Sequence, residues 1–229
     1  MDHSFLLIVA LVVGVMIVAG VAGYLQRERR RKELLLWSAR RGLSFSIAHD
    51  PGLQGRYPFF DCLRKGDNRY GYHLMSGSLG GYDVQAFDYH YQTTTHTRHG
   101  SHTEHHHFSA MVVRSPVPLQ PLKIRPENLL DKVANLVGIH DINFESDEFS
   151  RRFHVSSDDR KWAYDVLHPR AMQLLLDAPD FHVEMAGLWA MAYRHGTFGP
   201  EPFDQAAGVL TGLLDLLPQY VRRQQMGQV

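Results

Sequence analysis

The chain opens with an apolar stretch from Phe5 to Leu25 that contains no charged residue and no proline. At a rise of about 1.5 Å per residue, a helix over this stretch just crosses a hydrocarbon core of about 30 Å. A helix satisfies its own backbone groups in lipid, so the pattern predicts one transmembrane helix at 5–25 behind a short N-terminus at 1–4. The alternative is a cleaved signal peptide, which needs a basic leader and a shorter apolar run of roughly 7–15 residues. No Lys or Arg precedes Phe5, which favours an uncut anchor.

A basic juxtamembrane segment, 26–42, follows the predicted helix. The residues expected to contact anionic headgroups are Arg27, Arg29, Arg30, Arg31 and Lys32. Positive flanks resist translocation, so we expect the N-terminus outside and the rest of the chain in the cytoplasm of a cell whose inner membrane holds the anchor. Within this segment Leu34 to Trp37 form an apolar group. It is compatible either with an amphipathic segment on the headgroups or with the first helix of the folded domain.

Alternating apolar and polar residues then predict strands. The expected strands are Leu43–Ala48, Tyr70–Met75, Tyr82–Tyr91, His105–Arg114 and Leu119–Ile124, the last as an edge strand. Residues 92–104 read as a long polar loop, and Ser115 to Pro118 as a break. Further on, Phe153–Ser156 predicts a short strand, and Phe181–Met185 with Leu188–Arg194 predict a hairpin around Ala186 and Gly187.

Helical spacing dominates the second half. We expect helices over 126–137, after a cap at Asp158 or Asp159, over Pro169–Asp177 and over Pro202–Leu217, with a strand over Ile139–Glu145. Consecutive strands followed by irregularly interspersed helices predict an α+β domain at 43–220. It should have a mainly antiparallel sheet and about three to four helices, followed by a tail at 221–229.

Composition narrows the function classes. Lys plus Arg equals Asp plus Glu at 24 each, so the formal net charge of zero gives no sign of nucleic-acid binding. The expected partners are therefore the lipid bilayer and another protein. Cys62 is the one cysteine, which excludes an intrachain disulfide and a zinc site built from several thiolates.

A run of histidines offers the most specific candidate chemistry. They are His90, His96, His99, His102, His105, His106 and His107. If His90 lies opposite His107 in a hairpin, then His90, His105 and His107 converge on one face and could bind zinc, with Asp88 and Glu104 orienting the rings. A one-residue slip would separate them, and a solvated loop without metal is the alternative.

Other polar groups lack a complete active-site set. Glu145 to Arg152 alternates carboxylates with arginines, which favours a salt-linked turn over acid–base catalysis. Asp165 and His168 could touch on a helix as part of a triad, but the chain has no G-x-S-x-G serine to complete one. Glycine-rich nucleotide-binding loops are absent as well. We therefore predict no catalytic residue and no cofactor.

Small residues recur at four-residue spacing in the anchor, Ala10 with Gly14 and Ala19 with Gly23. Such spacing lets two membrane helices approach closely, so a homodimer through this face is a hypothesis. The alternative is that Gly and Ala are simply frequent in membrane helices.

The segment from Phe144 to Met172, FESDEFSRRFHVSSDDRKWAYDVLHPRAM, resembles a segment of uncharacterised bacterial membrane-anchored proteins that carry a domain of unknown function. The resemblance implies a bacterial protein with a shared fold and transfers no catalytic residue. Taken together, we expect a single-pass membrane protein whose cytoplasmic domain is an interaction or scaffold module. The alternative is a zinc sensor or zinc-dependent enzyme that uses the hairpin 90–107.

Overall fold

A computed structural model describes residues 3–97, 100–127, 142 and 144–227 of the chain. It has the predicted α+β architecture. The helices are α1 (His3–Arg40), α2 (Leu53–Arg56), a 3₁₀ turn (Asp61–Arg64), α3 (Asp147–Arg152), α4 (Arg160–Val166), α5 (Pro169–Asp177), α6 (Pro200–Asp215) and α7 (Gln219–Gln225). The strands are β1 (Ser44–Ser46), β2 (Asp67–Leu79), β3 (Tyr82–Thr97), β4 (Gly100–Pro126), β5 (Phe153–Ser156) and β6 (His182–His195).

Helix α1 joins the predicted anchor to the folded domain without a break. Its 38 residues would measure about 57 Å, and the part from Leu11 onward is long and apolar enough to cross a membrane. Leu34 and Trp37 are buried in the core, and the Trp37 ring stacks on Phe203 with its Nε1 donating to Asp204 at 3.0 Å. Of the two alternatives for this segment, the structure therefore selects the first helix of the domain.

The strands form one antiparallel sheet in which β4 is central. The order is β1-β2-β3-β4-β5, and β6 also pairs with β4. Residues 100–113 of β4 pair with β3, while β6 runs along most of its other side. Leu119–Ile124 was predicted as an edge strand, which is wrong, because this part of β4 pairs with β6 and then with β5.

The predicted polar loop over 92–104 is also wrong, because β3 and β4 stay paired as far as Thr97 and Gly100. Polar composition misled the prediction. Several of these residues are threonines, whose branched Cβ favours a strand even where both faces of the sheet are exposed to solvent.

Two predicted interruptions are bulges within continuous strands. Pro116 and Pro118 cannot donate to a ladder, and the β4–β6 register shifts between Arg114 and Leu119 to accommodate them. Opposite this shift, Gly187 has φ +60° and absorbs the irregularity in β6. The predicted hairpin around Ala186 and Gly187 is therefore wrong, since the chain continues in one direction from His182 to His195.

Each face of the sheet covers its own hydrophobic cluster. On the helix side, Ala86, Met111 and Val113 pack with residues of α1 and α4–α6. On the other side, Phe87, Tyr89, Phe108 and Met191 pack against the segment around α2 and the 3₁₀ turn. Tyr91 belongs to the same cluster, which confirms the prediction that Phe87, Tyr89 and Tyr91 share one side of the strand.

The helices of the second half largely follow the sequence pattern. Asp159 caps α4 by accepting from the Trp162 amide at 3.0 Å, and α5 spans the predicted residues. Helix α6 begins two residues earlier than expected, and α7 extends into the predicted tail with Val221 buried. Pro126, predicted to begin a helix, is the last residue of β4, while residues 128–137 of that helix and most of the strand predicted at 139–145 lie outside the described residues.

Candidate functional site

A polar row continues the helix-side face of the sheet where its apolar core ends. Directly opposite pairs in the ladder point the same way, and the pairs Asp88 with Ser109 and His90 with His107 follow the apolar pair Ala86 with Met111. Asp88 has no exposed surface and His90 is 3% exposed. The sheet therefore buries a carboxylate and an imidazole beside α1.

Arg30 of α1 binds the buried carboxylate with both terminal nitrogens. The distances are 2.7 Å to Oδ2 and 2.8 Å to Oδ1 of Asp88, and the Arg30 Nε donates to the Phe198 carbonyl at 2.8 Å. Such a bidentate pair fixes the orientation of both side chains. It therefore joins the helix that precedes the domain to strand β3 and to the loop after β6.

Two further donors complete the shell of Asp88. His73 Nδ1 donates to Oδ2 at 2.8 Å, and Ser109 Oγ donates to Oδ1 while accepting the Phe198 amide at 2.8 Å. His73 reaches this position because β2 is irregular between Tyr72 and Met75, and its backbone has φ +49°. That left-handed conformation is uncommon for a residue other than glycine. The contact of His73 with Asp88 therefore depends on this local irregularity of β2.

The shell of donors determines the charge of Asp88. Burial by itself would raise the pKa of this carboxyl, but the hydrogen bonds from His73, Arg30 and Ser109 and the Arg30 charge lower it below its usual value. The group is therefore an anion at neutral pH, and the Arg30–Asp88 pair is a buried ion pair.

The strand register that the zinc hypothesis requires is present, since His90 lies opposite His107 and Gln92 lies opposite His105. The His90 and His107 ring centroids are 4.9 Å apart, and His90 Nε2 lies 3.0 Å from His105 Nδ1. His90 Nδ1 donates to the Asn68 carbonyl at 3.0 Å, and its Nε2 shares the hydrogen bond with His105. Burial, and then the nearby His90, lower the pKa of His107.

Convergence does not by itself make these rings a metal centre. Ring nitrogens of His90 and His105 bind each other, and His107 Nδ1 lies 3.1 Å from the Tyr72 hydroxyl. Asp88 serves Arg30 and His73 instead of orienting a ligand, and Glu104 lies 3.9 Å from His106. In the described part of the chain, no three His, Cys, Asp or Glu side chains are arranged to hold a metal ion.

A cleft of about 670 Å³ opens between α1 and this polar row, and we call it the juxtamembrane cleft. Its helix wall carries Tyr24, Arg27, Glu28, Arg30 and Arg31; its domain wall carries Tyr72, His73, His107, Gly196 and Thr197. Arg31 pairs with Glu28 at 2.6 Å, whereas Arg27 is exposed and has no partner among the described side chains. The cleft thus has a cationic helix wall and an aromatic and polar domain wall.

The predicted basic residues divide into different environments. Arg27, Arg29 and Lys32 are exposed, and Arg29 pairs with Glu33 at 2.9 Å outside the cleft. Arg30 is the exception, because only 20% of its side chain is exposed and the domain holds it. The headgroup contact predicted for all five stays a prediction.

An apolar patch lies beside the cleft on the domain end of α1. Leu35 and Leu36 are 48% and 61% exposed, Ile47 is 58% exposed, and Phe45 is partly exposed next to them. Leu35, Phe45 and Ile47 line a groove of about 330 Å³ with Arg31 and Lys32. We call Leu35, Phe45 and Ile47 the juxtamembrane patch.

A second buried carboxylate lies on the other face of the sheet. Glu184 is 7% exposed, and its Oε1 accepts from the Tyr193 hydroxyl at 3.2 Å, but its Oε2 has no hydrogen-bond partner in the described part of the chain. It lines a cavity of about 330 Å³ with Lys123 and Asp61, which pair with each other. Burial raises the pKa of Glu184.

No protein-family model matches the chain, and no curated protein sequence matches it. Among solved structures, it is similar to the crystal structure of the mycobacterial trehalose monomycolate transport factor A, TtfA. The TM-score is 0.57 at 15% identity, over 82% of this chain and 93% of that one. At this identity the likeness to TtfA shows a shared fold.

The contacts of the remaining candidate residues fit structural roles. Asp165 binds Lys161 and Tyr220, while His168 Nε2 donates to the Leu216 carbonyl, so the two do not meet. The segment predicted as a salt-linked turn is instead helix α3, and Arg152 at its end donates to Asp180 at 2.7 Å and to the Leu176 and Ala178 carbonyls, all outside that segment. Burial raises the pKa of Cys62, which makes it a poor nucleophile.

The small residues of the anchor leave the dimer hypothesis open. A Cβ placed on Gly14 or Gly23 would meet nothing within 4 Å, and Ala19 is exposed. Homodimerisation through this face therefore stays a prediction.

Sequence reasoning missed the Arg30–Asp88 pair. A single carboxylate inside the aromatic strand sequence AFDYHY was the available signal, since a buried charge requires a partner from elsewhere in the fold.

Proposed function

We propose that this chain is a single-pass protein of a bacterial inner membrane, with its N-terminus outside and its domain in the cytoplasm as an interaction module. The asymmetry of Lys and Arg around the apolar stretch supports the orientation. Membership in the bacterial family that the segment 144–172 resembles is part of the same proposal.

The juxtamembrane patch is the observation that carries the interaction role. Leu35 of α1 and Ile47, just after β1, are each about half exposed or more and line one groove with Phe45. Clustered exposed apolar residues mark binding surfaces more often than isolated ones do. Because Arg30 ties α1 to the sheet, the patch keeps a fixed height below the end of the apolar helix. It is thus suited to a partner that is itself held at the membrane.

TtfA is named as a transport factor, and this chain shares its fold. We therefore propose that the partner of this chain belongs to a membrane transport assembly. In that role the domain would position or recruit a partner, and the lack of a complete catalytic set in the sequence fits this role. The fold resemblance supports this class of partner.

Topology and interaction can be tested separately. A reporter fused after Val229 that is active only in the cytoplasm would support the orientation, whereas activity only in the periplasm, or a mature chain beginning beyond Gly23, would contradict it.

For the interaction, Leu35→Glu should remove a partner that co-purifies from native membranes. Leu188→Glu, the same change at an exposed leucine outside the patch, should retain it. Equal recovery with both variants would contradict the role of the patch.

Zinc binding by the hairpin is the second candidate, favoured by the convergence of His90, His105 and His107. It is the weaker one because His90 and His105 are hydrogen-bonded to each other. Stoichiometric zinc in the purified chain, lost in the double variant His105→Ala/His107→Ala, would establish it. A metal-free chain whose melting is unchanged by chelator would exclude it.

A further inference from the structure

The juxtamembrane cleft lies at the height of the lipid headgroups if the apolar stretch spans the bilayer. A span from Phe5 to Leu25 fills a hydrocarbon core of about 30 Å, and the headgroup layer adds roughly 5–8 Å on each side. At about 1.5 Å per residue, Arg27 lies about 3 Å beyond Leu25, within that layer, and Arg31 lies about 9 Å beyond it, at the outer edge of the layer. Tyr24, on the same wall, lies at the boundary that aromatic residues favour.

The cleft also has the charge of an anion site. Arg30 is hydrogen-bonded to Asp88 and to the Phe198 carbonyl, so it forms part of the cleft wall but has little charge available to a bound anion. Arg27 and Arg31 remain as two cations against the one carboxylate of Glu28. On the domain wall, Tyr72 and Thr197 add hydroxyls and His107 adds an imidazole within the same cleft. Positive charge with nearby hydroxyl and imidazole groups is the chemistry that recognises a phosphate.

We propose that the juxtamembrane cleft binds the headgroup of one anionic phospholipid. The phosphate lies against Arg27 and Arg31, and the acyl chains run along the exposed apolar surface of α1 above Tyr24. The inference rests on the membrane span within the proposed function, and it requires neither the protein partner nor the orientation. It differs from general attraction to a charged surface because the domain supplies a second wall.

The chain supplies a matched control for the charge. Arg29 and Lys32 belong to the same basic segment at the same depth, but neither lines the cleft. Arg27→Gln/Arg31→Gln and Arg29→Gln/Lys32→Gln therefore remove the same number of charges from the same few residues of α1. Thr197→Trp is a third variant, because Thr197 is exposed and a large side chain there would fill the cleft without changing charge.

The full chain is placed in nanodiscs of phosphatidylcholine with a minor fraction of phosphatidylglycerol, and the retained lipid is counted by native mass spectrometry. We expect phosphatidylglycerol to be enriched over its bulk fraction. The enrichment should fall at least about fivefold in Arg27→Gln/Arg31→Gln and stay within about twofold in Arg29→Gln/Lys32→Gln. Thr197→Trp should also lose it, with an unchanged melting temperature.

Three outcomes would overturn the proposal. They are no enrichment with the native chain, equal losses in the two charge-matched variants, or full enrichment in Thr197→Trp. Because every arm uses chain already inserted in a bilayer, a failure here leaves the topology and partner experiments to stand or fall separately.

Discussion

Among the described residues, the sheet buries two carboxylates, one on each face, and their surroundings shift the two pKa values in opposite directions. Asp88 on β3 accepts from Arg30, His73 and Ser109, so both of its oxygens are occupied. Glu184 on β6 has one donor, Tyr193, and a buried oxygen without a partner in the described part of the chain. The pKa of Asp88 is lowered and that of Glu184 is raised. Burial is common to both, so the donors make the difference.

The contrast distinguishes Asp88, whose charge stabilises the structure, from Glu184, whose charge is disfavoured by burial. The ion pair of Asp88 has a mechanical consequence, because it fixes the helix that precedes the domain against the sheet at the level of the cleft. The hydrogen bond described for the Glu184 side chain, from Tyr193, stays within β6, and burial beside a cavity raises the pKa of Glu184. Removing the charge should therefore be costly at Asp88 and cheap at Glu184.

Asp88→Asn should have the largest effect. It leaves the Arg30 guanidinium largely buried beside a neutral amide, and breaking one side of a buried ion pair costs about 3–5 kcal/mol. Thermal unfolding of the full chain in detergent, followed by near-ultraviolet circular dichroism, measures the loss.

Asp83→Asn is the control for that experiment, since it makes the same change on the same strand at a side chain that is 71% exposed. It should stay within about 0.5 kcal/mol of the native chain. A loss as small in Asp88→Asn would mean that the ion pair does not hold the helix to the sheet.

Arg30→Lys should follow, with a loss of about 1.5–3 kcal/mol, because lysine keeps the charge but cannot bind both carboxylate oxygens and the Phe198 carbonyl together. The same melting experiment applies, with Arg29→Lys at a largely exposed arginine as the neutral reference. If both changes are equally harmless, charge alone suffices and the bidentate geometry contributes nothing.

The sequence predicted what depends on local pattern and missed what depends on the three-dimensional partner. The spacing of Phe87, Tyr89 and Tyr91 predicted one face of β3, and of the two caps predicted for α4, Asp158 or Asp159, the structure uses Asp159. No local feature of the sequence distinguished Arg30 from Arg29 or Arg31, because its partner Asp88 lies 58 residues away in the chain. The register of His90 with His107 could be stated only as a condition, since a slip of one residue fits the same polar sequence.

The bulges illustrate the same limit. Gly187 predicts a turn on local grounds, because glycine adopts positive φ easily. In the fold, the positive φ of Gly187 lets β6 exchange the faces of its side chains, so that Val183 and Met185 precede it on the helix side and Ala190 and Ala192 follow it there. Only the pairing with β4 distinguishes this bulge from a hairpin.

The stability curve against pH gives the next, smaller effect. The pKa of Asp88 is lowered on folding, so its stabilisation is present above the ordinary carboxyl pKa of about 3.9 and is lost as the pH falls through the folded-state value. The gap between the native chain and Asp88→Asn should therefore narrow when unfolding is measured at successively lower pH. A gap that is constant from neutral to acidic pH would show that the aspartate charge is not what stabilises the contact.

Glu184→Gln should have the smallest effect and the opposite dependence on pH. A raised folded-state pKa means that the contribution of Glu184 is fully present below its ordinary pKa of about 4.3 and is lost as the pH rises through the folded value. Glutamine keeps the acceptor for Tyr193 and cannot ionise, so it should match the native chain in acid and be equal or more stable by up to about 1 kcal/mol at alkaline pH. The measurement is the melting temperature of both proteins across that range. A loss at alkaline pH comparable to that of Asp88→Asn would mean that the ionised Glu184 has a stabilising partner, and the two faces of the sheet would then bury their carboxylates in the same way.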